Sequence, residues 1–254
     1  MYISSACFFI FPCPEKRKAE KDSIIDAERR DWNVQNKNDK DKLDCMTLLE
    51  TRDGVVFYVF DTETTGLDPD NDHVVQFSAI RYVVQNKQPV PEAELDIYIK
   101  LPFPMPEKAM AVHHITDEFL ADKPVTEEAI GEIIDFWGEK PIVVGFNTDF
   151  DVAMMHAMYR RCNMHFTPYF SLDVLEMMRD VSTDFEKYKL EDLIKEYGLD
   201  QGLTFHSAID DVRATGMLLQ LAHNYYVENP LPENHEKPYV NRFWFWKGFN
   251  KNQS

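Results

Sequence analysis

The run Val55-Val56-Phe57-Tyr58-Val59-Phe60-Asp61-Thr62-Glu63-Thr64-Thr65-Gly66-Leu67 decides the fold. Val55–Phe60 is apolar without interruption, as expected of a central strand covered on both faces. The run ends in Asp61. Strand side chains alternate, so Asp61 and Glu63 project to the same face at the strand end. Two carboxylates placed there are costly unless a cation or a shared proton compensates. Taken alone, the pair also reads as a solvated strand end followed by a turn. That reading weakens when other acids converge on the same place.

Further along the chain, Val74–Val84 reads as a second strand, and Leu95–Ile99 alternates like a third, more exposed one. Val125–Trp137 is helical, and Pro141–Gly145 is a short buried strand. Phe150–Arg161 carries apolar residues at helical spacing. Phe170–Leu172 reads as a fifth strand, followed by a helix over Val174–Arg179. Leu190, Leu193, Ile194 and Tyr197 share a helix face, with Gly198 as the stop. A long helix covers Ser207–Val227. Strands in sequence, then strands alternating with helices, predict a mixed α/β sheet with helices on its faces.

Two further segments carry acids. Gly145-Phe146-Asn147-Thr148-Asp149-Phe150-Asp151 follows a strand and opens a helix. Asn147 and Asp151, four apart, can share a helix face. The segment reads at least as well as an N-cap followed by a first-turn acid favourable to the helix dipole. In His206-Ser207-Ala208-Ile209-Asp210-Asp211, helical residues five apart point about 140° apart. Both ends reach one site only if His206 sits on the preceding loop and Asp211 within the first turns. By itself His206 reads as a surface loop histidine, and Asp210 as a cap or a solvent-facing acid. Each acid falls at a strand end or helix start, where α/β folds place their sites.

The net charge of −17 argues against tight coating of long duplex DNA, which leaves a basic footprint. It leaves room for gripping a few nucleotides at a strand end. Bound metal ions reverse the local sign of a carboxylate cluster, and Arg160–Arg161 or Lys187, Lys189 and Lys195 offer local basic groups. Cys7, Cys13, Cys45 and Cys162 show neither C-x-x-C pairing nor zinc spacing. They read as reduced thiols in a cytoplasmic protein, with Cys162 buried at a helix end. No apolar run approaches the roughly 18–20 residues that span a bilayer.

The three acidic segments resemble the DEDDh branch of the DnaQ-like exonuclease superfamily, on a ribonuclease-H-like fold. The Asp61–Leu67 block looks most like the proofreading (epsilon-type) subunits and domains of bacterial DNA polymerase III. Val74-Val75-Gln76-Phe77, Val112-His113-His114-Ile115-Thr116 and Leu190-Glu191-Asp192-Leu193 follow in the family's order. The resemblance covers about residues 55–225. Two departures stand out: Phe146 where the family often has His, and His114 where it often has Gly. Neither is in the metal set. His113 and His114 could be extra ligands, but a loop covering the site edge is the preferred reading.

The resemblance implies an α/β fold with a mixed five-stranded sheet flanked by helices, and 3′→5′ hydrolysis of phosphodiester bonds. Two divalent ions about 4 Å apart serve such chemistry, and oxygen-rich ligands select Mg²⁺ or Mn²⁺. Asp61, Glu63, Asp151 and Asp211 would hold them, with Asp61 bridging. His206 would act as general base, its reference pKa near 6.5 suiting neutral pH. The turn Thr62–Leu67 would grip the terminal 3′-hydroxyl through backbone N–H groups and Thr64. Leu67 would wedge against the last base, with Asn147 and Phe150 near the sugar and base. The expected products are nucleoside 5′-monophosphates, from DNA rather than RNA because of the Thr64-Thr65 version of the motif. A DNA polymerase is the expected partner, with proofreading or repair as the setting and no membrane involved. The rivals are an exoribonuclease or oligonucleotide scavenger, and a non-catalytic nucleic-acid-binding module.

Three regions are expected: an N-terminal extension over 1–53, an exonuclease domain over 54–228, and a tail over 229–254. The extension runs from an apolar start at Cys7–Phe11 into a charged stretch without apolar period, disordered or loosely helical, and Met46 is a candidate true start because a compact domain begins just after it. The tail's Arg242-Phe243-Trp244-Phe245-Trp246-Lys247-Gly248-Phe249 mixes basic and aromatic residues as single-strand binding surfaces do. It reads preferentially as an aromatic anchor.

Overall fold

The structure is a computed structural model that describes residues 53–182, 188–200, 202–203, 207–229 and 240–241. The N-terminal extension with Met46, Lys187, His206 and the aromatic cluster at 242–249 lie outside the described residues.

The apolar run of the opening motif forms the central strand β1, Val56–Thr64. It pairs antiparallel with β2 (Val74–Gln85), which pairs antiparallel with β3 (Gln88–Tyr98). On its other side β1 runs parallel to β4 (Ile142–Gly145), and β4 runs parallel to β5 (Phe170–Asp173). This is the expected mixed five-stranded sheet. A two-residue strand, β6 (Val240–Asn241), adds antiparallel to β5, giving the order β3-β2-β1-β4-β5-β6. Two residues assigned from sequence to a tail are thus part of the sheet.

Alternation along β1 sends its side chains into two different cores. Phe57 and Val59 pack into a cluster beneath the helices α5 (Val174–Val181), α6 (Leu190–Glu196) and α7 (Ala208–Glu228). Tyr58 and Phe60 pack on the opposite face against α3 (Thr126–Trp137) and α4 (Thr148–Arg161). Trp137 is its hub, edge-on to Phe60 and Phe77 and stacked on Phe166. Burying such aromatic and aliphatic side chains contributes about 1.5–3 kcal/mol each, so β1 is anchored from both of its faces. Two short helices, α1 (Glu107–His113) and α2 (Asp117–Leu120), pack with Val75 and Ile115 in a third cluster.

The third strand is longer than its alternation predicts. It begins at Gln88, directly after a two-residue turn in which Asn86 and Lys87 both take positive φ (51° and 63°). Such turns match the twist of a hairpin but usually carry Asn-Gly, so Asn-Lys gives little signal. Pro89 and Pro91 also argue against a strand, yet β3 lies at the sheet edge, where proline is tolerated. Among the described residues, no helix is long and apolar enough to cross a membrane.

Candidate active site

The alternation that builds the two cores also builds the site. Continuing the Phe57–Val59 face past the apolar run places Asp61 and Glu63 on the side of α7. That helix begins at Ser207, whose carbonyl accepts from the N–H groups of Asp210 and Asp211. Asp211 therefore stands in the first turn, where the helix dipole favours a negative charge. Carboxylate oxygens of Asp61, Glu63 and Asp211 lie within 4.8 Å of one another, each residue half-buried. Asp210 turns aside and accepts from Arg213 Nη1 at 2.8 Å.

On the other face of β1, Thr62 meets α4. Asp151 is buried, and its Oδ1 accepts both the Thr62 hydroxyl (2.6 Å) and the Thr62 N–H (3.1 Å). The Thr62 N–H, expected to hold the terminal 3′-hydroxyl, is thus directed to Asp151 together with the Thr62 hydroxyl. Asp151 lies outside the three-carboxylate group but close enough that its charge acts on Asp61 and Glu63.

The electrostatics record this crowding. Burial first, then the charges of Asp151, Asp211 and Glu63, hold the Asp61 carboxyl well above the usual carboxylate range. Glu63 is pushed up to about 8 by burial and by Asp211 and Asp151. Asp151 is raised to about 7 by burial, while the two hydrogen bonds from Thr62 pull the other way. Carboxylates arranged at a mutual cost fit a divalent cation, because an ion bound among them reverses the sign of each repulsion. An all-oxygen donor set suits a hard ion.

The remaining expected residues fall around this centre. The Thr64 hydroxyl donates to the Gly66 carbonyl at 2.7 Å, closing the turn after β1. Leu67, at that turn's tip, is 83% exposed. Asn147 takes the left-handed conformation at the start of α4 (φ 65°), which asparagine tolerates better than most residues. Its N–H donates to Asp173 Oδ1 at 2.9 Å. Phe150 is half-buried against the core that holds Phe60. His113 is buried with Nδ1 accepting from the Ile115 N–H (3.1 Å), and His114 is left-handed at the end of α1 (φ 60°). That backbone accounts for the glycine expected there. Cys162 is half-buried at the end of α4.

Two features escaped the sequence. Asp173 is buried at the end of β5, accepts from Asn147 and Leu175, and so ties the starts of α4 and α5 together. Its signal, an acid closing an apolar strand, is the same one that singles out Asp61. Arg160 and Arg161, offered as a basic patch, instead bind the loop after Leu67. Lys195 pairs with Glu191.

Comparison with known proteins places the fold in a family. The exonuclease (RNase T) family profile matches residues 58–219. The PolC-type DNA polymerase III of Staphylococcus aureus is 31% identical over 166 residues, 64% of this chain. The match spans only 11% of that polymerase's length. The structure of exonuclease X in complex with 5′ overhanging duplex DNA superposes with a TM-score of 0.52 at 25% identity. It covers 66% of this chain and 92% of its own. Escherichia coli exonuclease I in complex with a dT13 oligonucleotide shares the fold, with a TM-score of 0.58 at 20% identity over 68% and 42% of the two chains. Because the family profile matches more than half of its residues, the chain belongs to the exonuclease (RNase T) family and, within it, to the DnaQ-like DEDDh nucleases that degrade from 3′ to 5′.

Proposed function

We propose that this nuclease removes nucleotides one at a time from the 3′ end of DNA, single-stranded or frayed, and releases nucleoside 5′-monophosphates in the cytoplasm. The observation that carries the reading is the convergence of Asp61, Glu63 and Asp211 at the end of β1, with Asp151 beside them. Asp61, Glu63, Asp151 and Asp211 would hold two divalent ions, Mg²⁺ or Mn²⁺, which when bound activate the attacking water and stabilise the leaving oxygen. The chain's own groups do the rest. Thr62 fixes Asp151 through its two hydrogen bonds. His206 takes the proton of the attacking water as general base. Thr64 and the turn behind it present N–H groups to the terminal 3′-hydroxyl. Leu67, left exposed, is a wedge against the last base, and Asn147 and Phe150 flank the sugar and base.

DNA is favoured over RNA for two reasons. The Thr64-Thr65 form of the motif leans that way, and the similar exonuclease structures hold DNA. Likeness to a polymerase of the PolC type supports a proofreading role beside a polymerase, with repair as the related setting. Labelled single-stranded DNA and RNA of equal length, each with Mg²⁺ or Mn²⁺, test the reading. Faster shortening of DNA is expected; preference for RNA overturns the substrate assignment in favour of an exoribonuclease or oligonucleotide scavenger.

A further inference from the structure

Arg160 and Arg161 close α4 and face the loop that follows Leu67. Arg160 pairs with Asp70 Oδ1 at 2.7 Å. Arg161 Nη2 donates to the carbonyls of Pro69 (2.9 Å) and Asp70 (3.2 Å). The loop is also bound from within. The Asp72 carboxylate accepts the Thr65 hydroxyl (2.8 Å) and the Asp68 N–H (2.9 Å). The Asp68 carbonyl accepts from the N–H groups of Asn71 and Asp72. Gly66 lies so close to the Asp72 carboxylate that a Cβ there would sit 2.5 Å from it and would push that carboxylate out of its place. Out of this closely tied loop projects one large apolar side chain, Leu67.

Fixing so many backbone groups costs conformational entropy, and exposing a leucine gains nothing for the fold. Both costs make sense if Leu67 must be held still against a ligand. We propose that Arg161, seconded by Arg160, is a positioning residue that locks the Leu67 loop and so sets how well the enzyme opens a paired 3′ end. The inference rests on the reading of Leu67 as an end wedge. A mobile leucine can still lie against a single strand, but prising the last base from its partner needs a side chain that does not yield. Arg161 carries more of the lock than Arg160. The Arg160–Asp70 pair is largely exposed and screened by salt, whereas the half-buried Arg161 guanidinium reaches two carbonyls with one rigid group. The clamp has a second effect. Asp68, Asp70 and Asp72 would repel a strand's phosphates, and two arginines on their loop offset that charge.

The test uses the full chain with Mg²⁺ and one 3′ strand, offered single-stranded or paired to a complement. Arg161→Ala should lower the paired-end rate on the order of ten- to a hundredfold more than the single-strand rate, the scale of a misplaced contact. Leu67→Ala should show the same selectivity, and Asp70→Asn a smaller change in the same direction. Hydrogen exchange at the Asn71 and Asp72 amides should accelerate in Arg161→Ala. Unchanged circular dichroism shows that each variant folds. Equal loss on both substrates with a changed salt dependence would mean that the arginines bind phosphate directly, and overturns the clamp. An unchanged substrate ratio with unchanged exchange overturns it as well. If Leu67→Ala leaves the ratio unaltered, the wedge reading fails instead. The exchange rates then decide the clamp alone, and unaltered Asn71 and Asp72 amides refute it.

Discussion

The two faces of the end of β1 treat their carboxylates differently. On the α7 face, Asp61, Glu63 and Asp211 crowd together, and burial with mutual repulsion raises Asp61 and Glu63. On the α4 face, Asp151 is more deeply buried, yet Thr62 supplies it with a hydroxyl and an N–H. That face is compensated by the protein only in part, since burial still raises Asp151 to about 7 against its two hydrogen bonds. The other needs a cation to become favourable, as a set of like charges in a poorly solvated site must. The comparison teaches which acid the fold itself orients, Asp151 through Thr62, and which depend on an ion alone to offset their crowding.

The sharpest way to break the comparison is to remove the α7 face. Asp61→Ala or Asp211→Ala should abolish hydrolysis in a gel assay while circular dichroism stays that of the parent, because neither side chain belongs to the apolar clusters. Retained hydrolysis would place the chemistry elsewhere. His206→Ala follows, with a loss on the order of 10²–10⁴ in kcat, the usual share of a general base. Near-parental turnover would remove that role.

The α4 face is probed more gently. Thr62→Val keeps the branched shape on the strand but deletes the hydroxyl that Asp151 accepts at 2.6 Å. Activity should fall about 10–100-fold, the cost of losing a group that orients a ligand, and Thr62→Ser should restore most of it. The acidic limb of the pH–rate profile should move to higher pH, since the lost bond favoured the charged Asp151. An unmoved profile would mean that Thr62 is structural only.

A last test of the comparison concerns stability. With chelator present, the folded protein binds protons at Glu63 and Asp151 that the unfolded chain has already released. Carboxylates raised to about 8 and about 7 thus lower stability as pH rises from the unfolded carboxylate value of about 4 towards 8. The slope is up to about 1.4 kcal/mol per pH unit for each extra proton. Each kcal/mol shifts Tm by roughly 2–4 °C in a chain of this size. Melting in chelator should therefore fall from pH 5 to pH 8, and Mn²⁺ should flatten the decline. A flat chelated profile would show that the carboxylates are compensated without an ion.

Much of this site was legible from period and position. Alternation alone puts Asp61 and Glu63 together, and the start of the last long helix puts Asp211 within reach. What stayed hidden depends on contacts between distant segments. The partner of Asp151 is Thr62, 89 residues away, and nothing local in either segment announces it. Arg160 and Arg161 read as a basic patch because their partners, Pro69 and Asp70, are about ninety residues off in sequence. The β2–β3 hairpin was concealed for the opposite reason: its local signals, Asn86-Lys87 and two prolines, point away from strand, and only an edge position makes them tolerable.

The most direct measurement is a time course on a single-stranded oligonucleotide labelled at its 5′ terminus, run with Mg²⁺ and with chelator. Stepwise shortening of the labelled strand from its 3′ end, absent in chelator and absent for Asp61→Ala, is the expected result. Immediate release of the labelled 5′ nucleotide, internal cleavage, or undiminished shortening in chelator would contradict a metal-dependent 3′→5′ exonuclease built on these carboxylates.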